Sequence, residues 1–142
     1  MIRPVWRRRF LLQMLAAVLA VVVGAGAADA SVDSRAASLK ISAPASMARG
    51  SVLTVKATGY SGPYNTVSWS SVHGASSPCQ PPNADTITMH GVASRHTFNV
   101  RLTNIFGAPG TMTVCVYLFT SGPRANYTKG HYIVRSARVR VS

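Results

Sequence analysis

The sequence predicts an all-β domain, an antiparallel sandwich of seven short strands. Three observations carry that expectation. Short runs of β-branched and aromatic residues follow one another from residue 39 to the end of the chain. Clusters of Gly, Pro, Ser and Asn separate the runs. No window of ten or more positions repeats its apolar residues at helical spacing, which argues against βαβ units.

Leu39–Ala43 is the first expected strand, stopped by Pro44. Ser51–Thr58 follows, with Val52, Leu53 and Val55, and Gly59 ends it. Thr66–Val72 contains Trp69, and Thr86–His90 alternates Ile87 and Met89 around Thr88. His96–Leu102 sets Phe98, Val100 and Leu102 on one face, with Thr97, Asn99 and Arg101 on the other. Met112–Thr120 is apolar on both parities and belongs at the centre of a sheet, buried on both faces. His131–Val141 is last, and it changes phase. Tyr132 and Val134 share one parity, Ala137, Val139 and Val141 the other, so a β-bulge near Arg135–Ser136 is expected. Turn chemistry supports the breaks at Ser61-Gly62-Pro63, Pro81-Pro82-Asn83, Ala108-Pro109-Gly110 and Ser121-Gly122-Pro123.

The first thirty residues have another character. Met1–Arg9 is short and basic, Phe10–Val23 is almost wholly apolar, and Ala28-Asp29-Ala30 fits a small-residue cleavage site before Ser31. That is the layout of a secretory signal peptide over 1–30. An uncleaved membrane anchor is the alternative, since Phe10–Ala28 is about long enough to span a bilayer. Arg7-Arg8-Arg9-Phe10-Leu11 also fits the core of a twin-arginine signal, although Trp6 stands where Ser or Thr is usual. Residues 31–38 read as a flexible lead-in and 39–142 as the sandwich. The expected location is secreted or extracytoplasmic, at the cell envelope.

The run Leu39-Lys-Ile-Ser-Ala-Pro-Ala-Ser-Met-Ala-Arg-Gly-Ser-Val-Leu-Thr-Val-Lys-Ala-Thr-Gly resembles bacterial extracellular immunoglobulin-like domains. It shares their opening strand, proline, Gly-Ser-x-Leu-Thr-Val second strand and glycine stop. Ala108-Pro-Gly-Thr-Met-Thr-Val-Cys-Val-Tyr-Leu looks like the sixth strand of small secreted actinobacterial proteins of this type. The resemblance covers about Leu39 to Ser142 and implies an immunoglobulin-like sandwich outside the cytoplasm. It carries no activity. The first Cys lies after the Trp69 strand, and Thr113 stands where a tyrosine corner needs Tyr, so the likeness is one of layout.

Cys79 and Cys115 are the only cysteines, and an even count in an exported chain reads as a disulfide. Closing a loop of about 37 residues stabilises by roughly 4 kcal/mol on the loop-entropy model. A chain of 142 residues leaves no room for a Rossmann pair or TIM barrel. Beyond residue 30 the only acids are Asp33 and Asp85, too few for most acid–base, Mg²⁺ or Ca²⁺ chemistry, and no Gly-x-Ser-x-Gly elbow is present. The chain is therefore expected not to be an enzyme and to need no cofactor. His73, His90, His96 and His131 match no zinc spacing, and only Met89 beside His90 evokes a soft-metal pair. The expected function is that of an exported, non-catalytic binding or structural module of the bacterial cell envelope, with a small secreted enzyme or metal carrier on the same sandwich as the alternative. Tyr60, Tyr64 and Tyr127 beside turns suggest an aromatic rim or ordinary packing.

The charge balance is the remaining signal. Fifteen Lys and Arg stand against three acids, a formal +12, and 11 cations with 2 acids remain after residue 30. Arg135, Arg138 and Arg140 on the last strand, with Arg101, are the expected contacts for anionic ligands; Arg95, Arg124 and Lys129 add charge. Cations on an edge strand also block sheet-to-sheet aggregation without any ligand. Anionic cell-envelope polymers or an extracellular protein are the expected partners. No motif reads bases, so sequence-specific nucleic acid is not expected. Membrane attachment is expected only if the N-terminal segment stays uncleaved.

Overall fold

The structure is a computed structural model that describes residues 35–75, 78–82 and 88–142. The expected signal segment, Asp33, Asp85 and the first residues of the Thr86–His90 strand lie outside them. Eight strands form: β1 Ser38–Ser42, β2 Ser46–Met47, β3 Val52–Tyr60, β4 Thr66–His73, β5 Thr88–Gly91, β6 Thr97–Ile105, β7 Gly110–Phe119 and β8 Tyr132–Val141. No helix occurs among the described residues. One sheet has the order β1-β3-β6, the other β2-β8-β7-β4-β5.

Every pairing is antiparallel except one. β2 runs parallel to β8, with Ser46 opposite Arg140 and Met47 opposite Val141. This is the strand the sequence pattern lacks, because two residues are too few to show periodicity. Long-range backbone bonds hold it: the Arg140 N–H donates to the Ala45 carbonyl, the Ser142 N–H to that of Met47, and the Arg49 N–H to that of Ser142. The chain thus leaves the first sheet after β1, turns at Pro44 and joins the second.

The expected bulge in β8 is absent. β7 and β8 pair without interruption from Gly110 opposite Val141 to Phe119 opposite Tyr132. The change of phase has a different cause: the five-stranded sheet is apolar on both faces. Inward, Met112, Val114, Val116 and Leu118 of β7 meet Ile133, Val139 and Val141 of β8. Leu39, Leu53, Val55, Ala57 and Leu102 of the other sheet close this main core, which also holds Val67 and Trp69. The Trp69 ring meets Phe106 edge-on, with centroids 6.1 Å apart. Outward, Cys115, Tyr117 and Phe119 gather Cys79, Tyr127, Tyr132 and Val134 into a second, smaller cluster.

Gly59 corrects another expectation, since β3 does not stop there but runs on to Tyr60. The glycine lies opposite Leu39, and a Cβ on it would strike the carbonyl of Ser38. It permits close strand approach. The end of the lead-in belongs to the fold: Ala37 packs on the main core and the Arg35 guanidinium lies 4.7 Å from the Tyr60 ring centre. The compact unit spans Asp33–Ser142 and contains its whole core, which is the physical criterion of a domain.

Candidate functional site

The four arginines singled out from the sequence do not share one surface. Along β8, Arg138 faces Thr113 and Arg140 faces Thr111, so both project from the outer face of the five-stranded sheet. Arg135 has the opposite parity. It is paired with Val116 on the inward side, yet remains exposed. Its Nη1 donates to the carbonyl of Val134 at 2.9 Å. Even-numbered residues of β8 turn their backbone groups toward β2, as the Arg140 bond to Ala45 shows. Tyr132 to Arg138 have no strand on that side among the described residues. Arg135 therefore caps an open edge, one of the ways natural sheets are kept from pairing with one another.

Arg101 lies on the other sheet, and the register gives it company that the sequence did not disclose. Lys56 of β3 stands directly opposite Arg101 of β6, both exposed on the outer face. Lys40 of β1 is paired with Thr58, one rung along, and is exposed too. Three cations from three adjacent strands thus share an open face with Thr54, Thr58, Asn99 and Thr103, and with Val52 and Ile105 at its end. Like charges directly opposite across a sheet destabilise it. No carboxylate side chain relieves them among the described residues, since Asp29, Asp33 and Asp85 all lie outside those. Lys40 and Lys56 were legible only as polar-face residues. Their meeting with Arg101 is a matter of register, which depends on long connections.

The outer face of the five-stranded sheet is covered where it is most apolar. Cys79 and Cys115 form the expected disulfide, with Cα atoms 5.7 Å apart. It fixes the segment after β4 over β7. The Tyr117 hydroxyl donates to the Gln80 carbonyl at 2.6 Å and lies 3.3 Å from Ser70 Oγ. Burial pushes the Tyr117 phenol above its ordinary pKa, with the Ser70 hydrogen bond opposing and Tyr132 reinforcing the shift. From the other side Tyr127 packs edge-on against Phe119, centroids 5.8 Å apart. Such a bridge forms and persists in oxidising, extracytoplasmic compartments.

The remaining candidates are dispersed. Met89 and His90 are neighbours on β5 and point to opposite faces, Met89 beside Ser68 and His90 beside Val67, so they cannot grip one ion. His73 Nδ1 does reach Met112 Sδ, at 3.1 Å. His96 Nδ1 contacts the carbonyl of Ser94, and its backbone is tied to Ser61. No group of three metal-binding side chains assembles among the described residues. The three tyrosines make no common rim: Tyr60 is buried, Tyr64 packs on the main core and Tyr127 on the second cluster.

No protein-family model matches the chain, and no curated protein does. Among solved structures, the sulfur carrier protein SoxY from Chlorobium limicola f thiosulfatophilum is similar in fold, with 15% sequence identity and a TM-score of 0.47. The match covers 73% of this chain and 78% of that one. At this identity and score it carries no ligand or activity across. What stands is a small two-sheet all-β domain, closed by a disulfide, with exposed cations on the outer faces of both sheets.

Proposed function

We propose that the protein is an exported, non-catalytic binding module of the cell envelope, built on an immunoglobulin-like sandwich, that holds anionic polymers by charge. The observation that carries this reading is the Lys56–Arg101 pair with Lys40 beside it. A like-charge pair at the centre of a sheet face costs stability, and an anion laid across it converts that cost into binding energy. The strand order supports the immunoglobulin-like assignment, because the opening segment serves both sheets, first β1 beside β3 and then β2 beside β8. The basic N-terminal residues, the apolar run and the small-residue site support export. The scarcity of acids supports binding without catalysis.

The test is binding of residues 31–142 to polyphosphate across a salt series. The expected result is affinity that falls steeply with salt. Lys40→Gln, Lys56→Gln and Arg101→Gln together should abolish most of it, and Arg135→Gln, Arg138→Gln and Arg140→Gln together should remove less. Indifference to salt and to both triple variants would sink the reading.

A further inference from the structure

The face that carries Lys56 and Arg101 also carries an apolar pair. Among the described residues the exposed large hydrophobics are Val52, Met89 and Ile105, and two of these are direct cross-strand partners. Val52 is 59% and Ile105 58% exposed. They share the outer face with Lys56 and Arg101 because strand residues of one parity point to one side. They lie four positions from the cations along each strand, about 13 Å at the strand rise. Arg49, exposed in the turn before β3, precedes Val52 by three positions, and its N–H donates to the carbonyl of Ser142 beyond β8. The apolar pair thus shares its face with the Lys56–Arg101 pair, with no acidic side chain among the described residues.

Single exposed apolar residues are commonplace, but a cross-strand apolar pair beside a cation pair on one face suits a lipid interface. The cations meet anionic headgroup phosphates while the short side chains enter the acyl boundary. A soluble polyanion uses the cations and has no use for Val52 and Ile105. We propose that the partner of this face is an anionic phospholipid surface. The proposal rests on the polyanion-binding reading and narrows it to one ligand class.

The test uses residues 31–142, which contain the whole compact unit and leave out the apolar run at 10–23 that would bind lipid by itself. Co-sedimentation is measured with phosphatidylglycerol-containing vesicles, with pure phosphatidylcholine vesicles, and in parallel by binding to polyphosphate. The wild type should bind the anionic vesicles well above the neutral ones. Val52→Ser with Ile105→Ser should lose about ten-fold on vesicles and nothing on polyphosphate. Lys56→Gln with Arg101→Gln should lose about twenty-five-fold on vesicles, at roughly five-fold per cation, and should weaken polyphosphate binding as well. Both double variants replace exposed side chains, and retention of the thermal midpoint confirms that they fold. Equal binding to both kinds of vesicle, or full vesicle binding by the Val52/Ile105 variant, overturns the lipid proposal. If polyphosphate binds and anionic vesicles do not, the lipid proposal falls and the polyanion reading stands. If neither binds, both fall.

Discussion

The two outer faces of this domain were made by opposite sequence habits. β3 alternates strictly, with Leu53, Val55 and Ala57 buried and Val52, Thr54 and Lys56 exposed. Its sheet therefore has one inside and one bare outside. β7 is buried from Met112 to Phe119 with no alternation. A strand apolar on both parities needs cover on both faces. The other sheet supplies it inward; the disulfide, the Tyr117–Gln80 bond and Tyr127 supply it outward. The covered face is where the domain gains stability, and the bare face is where its charge is available to a ligand.

The sharpest way to break this contrast is to remove the disulfide. Cys79→Ser with Cys115→Ser should cost about 4 kcal/mol in unfolding free energy, measured by denaturant titration. Amide exchange should quicken first in the segment around Cys79 and Gln80, and last in β3 and β6. A uniform loss of protection would mean that the two faces are not independent. A smaller effect comes from Tyr117→Phe, which removes the bond to the carbonyl of the exposed Gln80 and should cost about 1 kcal/mol.

The same tyrosine gives a pH signature. Its folded-state pKa is raised above the unfolded value, so its contribution is complete below the ordinary phenol value of about 10 and is lost as the pH climbs through and above it. Tyr117→Phe should flatten the fall in stability in that alkaline window. An unchanged slope would remove burial of the phenol as its cause.

Ser68 Oγ and Trp69 Nε1 are buried and find no hydrogen-bond partner among the described residues. Ser68→Ala removes one unsatisfied group and should leave stability equal or higher by up to about 1 kcal/mol, read as a rise in thermal midpoint. The smallest change lies on the bare face. Lys56→Gln relieves the opposition to Arg101 and should stabilise by about 0.3–0.5 kcal/mol at low salt, a gain that fades as salt is added. A loss at low salt would mean that the pair is not under repulsive strain.

Much of the fold is legible in the sequence because the signals are local. Alternation along residues 52–58 and 97–102, the turns around Gly62, Gly110 and Gly122, and the double-sided burial of β7 need only neighbouring residues to be read. The failures are all non-local. β2 exists because β8 offers it hydrogen bonds across more than ninety residues of chain. The phase change in β8 looked like a bulge because a single core was assumed, and Tyr132 and Val134 answer to a second core around Tyr117. The site was legible only in part. Arg101 and the polar face of its strand were readable, but its register against Lys56 is not written within either strand. Arg135 has the parity of Ile133 and Ala137, opposite to that of Arg138 and Arg140, because the ladder runs through without a bulge.

On the function proposed above, the bare face of the three-stranded sheet exchanges electrostatic strain for anion binding. Thermal unfolding at low salt, with and without polyphosphate, tests it in the wild type and in Lys56→Gln with Arg101→Gln. Polyphosphate should raise the wild-type midpoint by several degrees through linkage. The double variant should start at an equal or higher midpoint and gain little. A wild type that gains nothing, or a variant that gains as much as the wild type, would contradict the account.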